Sequence, residues 1–465
     1  MAGSALAETR SLHVPAAYGE PPDGWTWSRL DDVSEGVFDC PHSTPKLTDA
    51  GPFVVRTQDI ITGVFRAEQA GRVSEETYAE RIARVTPSRG DLLYSREGTY
   101  FGIAAEVPAK TRVCLGQRMV LIRPDKRRLN FSFLCHWLNS PIMAAHIHGY
   151  RDGTVAERLN LPTIRALPIL IPPLAEQKAI AAVLGALDEK IELNRRMNAT
   201  LEAMARTLFQ SWFVDFDPVR AKLDGRKPVG LDEATAALFP EHLEDSPLGH
   251  IPKGWKACPL AELIEVVKGR SYRSEELAES KTALVTLKSF LRGGGYRIDG
   301  LKPFTGEYKP TQRVRPGDLV VAFTDVTQAA DVIGKPALVR SDARFETLVA
   351  SLDVGIVRPK SKHVSIPFLY CLFLTAEFQA HTYSHATGTT VLHLGARAIP
   401  SFISVVPPVD IAKKFVERAD PIFRLIDENA KQSRTLATLR DTLLPKLLSG
   451  ELSVGAAAAF TQAAN

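Results

Sequence analysis

The chain has 465 residues, room for two to four domains, and its 45% hydrophobic and 24% charged residues are the balance of a globular protein. Lysine and arginine (57) exceed aspartate and glutamate (53) by only four, so a nucleic-acid partner is permitted but any basic surface has to be local. Five scattered cysteines (Cys40, Cys114, Cys135, Cys258, Cys371), never spaced as CxxC, argue against a disulfide framework and structural zinc and fit a reducing cytoplasm.

Residues 1–19 carry no apolar run of signal-peptide length and read as a flexible N-terminus. Over 20–172, short apolar segments alternate with Gly, Pro and Asp turns, predicting strands at 53–57, 91–95 and 120–123. One amphipathic helix is expected at about 131–148, within a mixed α/β domain. Pro173 suits the start of a helix over 173–213. There Ile180, Leu184, Leu187, Ile191, Leu201, Ala205 and Leu208 recur at steps of three and four, and Asn194 and Asn198 fill the middle of the stripe. Residues 214–249, with Gly225-Arg226-Lys227-Pro228 and an acidic Ala-rich stretch, are expected to be a linker without a reading role. A second mixed α/β domain is expected at 250–407, with strands at 284–287 and 318–323 and a helix at about 366–382. The last helix, 408–449, carries Ile422, Leu425, Asn429, Gln432, Leu436, Leu439 and Leu443 on one stripe. Pro445 is expected to kink or shorten its final turn and Gly450 to stop it, leaving 450–465 as a flexible tail. No stretch approaches 18 uncharged apolar residues, so no membrane span is expected.

The sequence matches itself at a shift of 235 residues. Ile122-Arg123-Pro124 falls on Val357-Arg358-Pro359, Phe133-Leu134 on Phe368-Leu369, Gly153-Thr154 on Gly388-Thr389, and Pro172-Pro173 on Pro407-Pro408. Upstream, at smaller offsets, Pro22-x-Gly24-Trp25 meets Pro252-x-Gly254-Trp255 and Gly90-Asp91-Leu92 meets Gly317-Asp318-Leu319. Insertions thus gather in the front of each copy while the back stays in step. Each helix is roughly 60 Å long at about 1.5 Å per residue. Their matching polar centres predict an antiparallel coiled-coil pair joining two α/β heads, with an internal pseudo-two-fold repeat. The plainer alternative is that each helix packs on its own head.

Catalytic signatures are missing. There is no GxxxxGK[ST] loop, the proline pairs follow Ile171 and Val406 where an amino-methyltransferase needs Asn or Asp, and His146-x-His148 lacks helical ligand spacing. No catalytic centre, metal site or bound cofactor is expected. Leu167-Pro168-x-x-x-Pro172-Pro173-Leu174-x-Glu176-Gln177 resembles the central region of specificity subunits of type I restriction–modification systems. So do Ser211-Trp212-Phe213-Val214-Asp215-Phe216-Asp217-Pro218-Val219-Arg220-Ala221-Lys222 and the closing Leu443-Leu444-Pro445-Lys446-Leu447-Leu448-Ser449-Gly450-Glu451-Leu452. The resemblance implies that each head is a target-recognition domain for one half of a split double-stranded DNA site, with the helices as spacer. It also implies cytoplasmic assembly with two methyltransferase subunits and with motor-nuclease subunits, to which S-adenosylmethionine, ATP and Mg belong. A coiled-coil scaffold binding proteins without DNA preference is the alternative.

Base edges are read by paired donors and acceptors, and phosphates by Lys, Arg and hydroxyls. The first candidates are Tyr150, Arg151, Thr154 and Arg158, with Thr389, Thr390 and His393 in the second copy. The family's DNA-facing segments add Arg56, Thr57 and Asp59, aligned with Thr286, Lys288 and Ser289, and the turn residues Tyr94, Arg96, Thr324 and Asp325. Lys268, Arg270 and Arg273 form a basic cluster, as do Lys126, Arg127 and Arg128. For the spacer and partner contacts the candidates are Leu187, Asn194, Leu201, Leu208, Trp212, Phe213, Ile422, Asn429, Leu436 and Leu443.

Overall fold

A computed structural model of the protein describes residues 20–98, 101–148, 158–327 and 329–457. The readings of a flexible N-terminus at 1–19 and of a loose end beyond 457 fall outside the described residues, as do Tyr150, Arg151 and Thr154. The chain forms two compact units: one from the residues up to Asn194 with those from Gln432 onward, the other from Arg195 to Lys431. Each contains one mixed α/β head and half of each long helix.

In the first unit the strand Met119–Pro124 lies between Ser34–Asp39 and Leu92–Ser95, with Ala104–Glu106 outermost, all antiparallel. The second unit repeats that order with Ile264–Lys268, Val354–Pro359, Leu319–Ala322 and Pro336–Leu338. Each head also has one parallel pair, Thr48–Val55 with Val113–Leu115 and Thr282–Val285 with Thr347–Ala350. The central strands are buried on both faces (Leu92, Leu93 and Tyr94; Leu319, Val320 and Val321), so they read as continuous apolar runs without alternation.

The single helices expected at about 131–148 and 366–382 are each two. Phe131–Leu138 is followed by Pro141–His148, and Ile366–Phe373 by Ala376–Ser384. The cause is a hydroxyl that opens a new helix. Ser140 Oγ accepts from Met143 N at 3.2 Å, just before Pro141, and Thr375 Oγ1 accepts from Phe378 N at 3.3 Å.

The long helices span Leu174–Phe213 and Val409–Leu448. In the first unit the front of one lies antiparallel to the back of the other: Arg440 pairs with Asp188 at 2.7 Å, and Asn194 Nδ2 donates to Gln432 Oε1 at 2.9 Å. In the second unit the remaining halves pair likewise. Asn429 Nδ2 donates to Asn198 Oδ1 at 2.9 Å, and Phe209 packs edge-on to Phe415. The polar centres are therefore matched side chain to side chain. One seam position differs from expectation: Leu425 is exposed and Ile426 takes the buried place. Pro445 does not end the second helix, which also accommodates Pro421; an interior proline costs about 3 kcal/mol through its missing N–H.

The two signature segments are packing knots. Trp212, Phe213 and Phe216 interlock with Phe239 and Trp255 in the second unit. Their repeat partners Leu447 and Leu448 share the first unit's core with Trp25. Gly450 closes that end in the left-handed region (φ +76°), where a Cβ would collide with Pro22 at 2.5 Å. The segment expected as a linker is folded. It holds the helices Asp217–Leu223 and Glu233–Leu238 and a hairpin, and Asp232 is tied to Arg418 at 3.0 Å.

Candidate nucleic-acid interface

The same hydrogen bonds build one rim in each head. Asp91 accepts from Ser88 N at 2.9 Å and pairs with Arg123 at 2.7 Å; Asp318 accepts from Arg315 N at 2.9 Å and faces Arg358 at 3.8 Å. Past the strand, Arg96 N donates to Arg118 O at 3.0 Å, and Leu159 N to Arg96 O at 2.8 Å. At the repeat positions Phe323 N donates to Asp353 O at 2.7 Å, and Leu394 N to Phe323 O at 2.8 Å.

On this shared frame the side chains differ. In the first head Glu97 is bridged by backbone to Arg158 and ion-paired with Arg118 at 3.2 Å. Beside them Arg96 pairs with Asp39 at 3.2 Å, and Asp39 lies 3.5 Å from His42. In the second head Thr324 pairs by backbone with His393, and its hydroxyl donates to Asp353 at 2.8 Å and lies 3.5 Å from His393 Nδ1. Thr389 and Thr390 are exposed at the tip of the hairpin formed by Ala386–Thr387 and Leu392–Leu394. The adjoining Asp325 is buried. Burial pushes its carboxyl pKa up, but backbone N–H donors from Thr327, Val332 and Ile333 outweigh that and hold it below the usual range.

The other candidates divide by exposure. Arg56 is half-buried and bidentate to the fully buried Asp59, whose carboxylate also caps Arg56 N at 2.9 Å. Thr57 is half-buried beside them. Ser289 caps Thr286 N in the matching turn, while the buried Thr286 hydroxyl donates to Gly300 O. Only Lys288 of that trio is exposed. Tyr94 is wholly within the core and offers no surface to a duplex. Lys268 and Arg273 are exposed, whereas Arg270 is held by Glu276 and by the carbonyls of Ser271 and Glu307. Arg127 pairs with Asp125 and Arg128 donates to Asp32 O, which spends that cluster partly on its own loop. Among the spacer candidates, Leu187, Asn194, Leu436 and Leu443 are buried in the first unit, and Trp212, Phe213 and Asn429 in the second. Leu201, Leu208 and Ile422 are half-buried there.

Among the described residues no group of His, Cys, Asp and Glu could hold a metal ion, and no helix is long and apolar enough to cross a membrane.

Residues 22–203 match the family model described as the type I restriction modification DNA specificity domain. Over 94% of its length the chain is 25% identical to the type I restriction enzyme MjaIX specificity subunit of Methanocaldococcus jannaschii, covering 95% of that protein. Over 92% it is 24% identical to the type I restriction enzyme HindI specificity subunit of Haemophilus influenzae, covering 99% of it. The chain is similar to these type I specificity subunits over nearly its whole length. A crystal structure of a type I restriction–modification S subunit from M. genitalium is 17% identical, with a TM-score of 0.49 over 91% of this chain and 96% of that one.

In this chain the Glu176-Gln177 pair of the central motif has a plain structural task. Glu176 accepts from the Trp25 indole at 3.2 Å. Gln177, fully buried, accepts from Asn130 N and donates to the Arg128 and Pro172 carbonyls. Sequence reasoning passed over Glu97, Arg118 and Asp353. The signal was available: the 227-residue offset of the Gly-Asp pair puts Glu97 opposite Thr324, and the 235-residue offset puts Arg118 opposite Asp353.

Proposed function

We propose that this chain is a non-catalytic, sequence-specific DNA-binding subunit of a type I restriction–modification complex, each head reading one half of a bipartite target. The long helices set the gap between halves and dock methyltransferase subunits, two per chain. Motor-nuclease subunits complete the assembly in the cytoplasm, and S-adenosylmethionine, ATP and Mg act on those partners. The observation that carries this reading is the doubled rim: one backbone frame, built twice, with different polar side chains on it. Two readers of two different half-sites need that combination, because backbone frames position while side chains specify.

The test is co-expression with the neighbouring methyltransferase, followed by mapping of methylated adenines across the host genome. A single split motif with two defined halves and a fixed gap is the expected outcome. Complex formation without any motif would instead fit a coiled-coil scaffold and remove the reading role.

A further inference from the structure

Within a duplicated chain, one half serves as the control for the other. Positions needed for folding carry the same chemistry twice: Asp91 with Arg123 and Asp318 with Arg358, the central strands, the Asp59 and Ser289 caps. On the rim a trio breaks that rule while the backbone hydrogen bonds around it are kept. Glu97, Arg118 and Arg158 occupy the places of Thr324, Asp353 and His393. The first head therefore shows a guanidinium paired with a carboxylate, with a second arginine bridged to it through the backbone, and the second a carboxylate beside a hydroxyl and an imidazole.

Exposure points the same way. Arg118 is 57% exposed, and its backbone stands in the left-handed region (φ +68°) in the turn that leads into Met119–Pro124. Glu97, 23% exposed, holds its Nε and leaves the face of the guanidinium open to solvent. Arg158 and His393 are exposed on the neighbouring segment. Asp39, next to the trio, has Lys268 as its counterpart, so the surrounding charge inverts as well.

We infer that this trio is the specificity-determining element of each head, Arg118 and Arg158 reading a guanine in one half-site and Asp353 with His393 reading a base with an exocyclic amine in the other. The inference rests on the DNA-reading function proposed above and names its residues. Arginine presents paired donors that match the O6 and N7 acceptors of guanine, while a carboxylate accepts from the amino group of cytosine. Glu97 is a positioning residue that aims Arg118. Thr324 does the same for Asp353 through its hydroxyl.

The experiment is methylation mapping with the full complex carrying Arg118→Ala, Glu97→Gln or Asp353→Asn, each beside wild type. Arg118→Ala is expected to relax one guanine position in one half of the motif, by roughly 5- to 150-fold in discrimination as for a lost bidentate base contact. Asp353→Asn is expected to relax or change one position in the other half only, and Glu97→Gln to weaken the position affected by Arg118→Ala. The unaffected half is the built-in control for folding and assembly. A motif unchanged by both Arg118→Ala and Asp353→Asn, or degraded in both halves at once, overturns the assignment while leaving the two-headed reading intact. A wild-type complex without a split motif overturns both.

Discussion

The Asp91–Arg123 pair gives a measure of what single residues contribute. Asp91 is almost wholly buried and serves two donors as well as Arg123. Asp91→Asn is expected to cost about 2 kcal/mol, because a buried donor loses a charged acceptor. Asp318 is 26% exposed and its arginine stands at 3.8 Å, so Asp318→Asn is expected to cost less than half as much. Denaturant unfolding of the two variants checks the order. The Gly-Asp repeat was legible in the sequence, but its role was not: the partner arginine lies 32 residues away and is delivered by strand pairing. Asp59, expected at the DNA surface, is buried in the turn Thr57–Asp59 by its pairing with Arg56, whereas Tyr94 lies in the core because of its strand. Strands covered on both faces lack the polar–apolar alternation that separates inside from outside.

At the level of elements, the long helices were the clearest feature of the sequence, since seven or more positions at steps of three and four leave little choice of period. Their polar centres are testable. Asn429→Leu removes the donor to Asn198 Oδ1 and is expected to destabilise by about 1–3 kcal/mol. Adding Asn198→Leu is expected to recover stability, as a hydrophobic pair replaces a polar one, while loosening the register; a double-mutant cycle by thermal unfolding measures both. The broken helices after the sheets were not legible, because a capping hydroxyl at Ser140 or Thr375 looks like any polar residue within an amphipathic run. On the first of them sits His136, near Asp188 and Arg440. Burial pulls its pKa below 6.5, Asp188 pulls back upward, and Arg440 adds to the depression. The unfolded chain therefore takes up this proton first. Stability is full above the unfolded value near 6.5 and declines as pH falls through the folded one. His136→Gln is expected to flatten part of that decline, read as melting temperature between pH 7 and pH 5.

For the whole molecule, the repeat decided the architecture from the sequence, yet it could not say which side chains each head would expose. That information lies in how distant strands meet. If the helices are the ruler of the proposed function, deleting seven residues from each removes about 10 Å of rise, close to 3 base pairs of duplex. Methylation mapping is expected to report a correspondingly shorter gap, and an unchanged gap would remove the ruler role. The partition into units carries a further consequence for how the protein is born. The second unit, from Arg195 to Lys431, is one uninterrupted stretch, whereas the first needs the residues after Gln432 to complete its core, where Leu436, Leu443 and Leu447 meet Ile180 and Leu184. On the ribosome the half encoded first is therefore the half finished last, waiting unsealed while its later-made sibling closes. A chain ending at Lys431 is expected to keep a protease-resistant second unit and to lose the first. Damage to the end of the reading frame thus falls on the head encoded at its beginning.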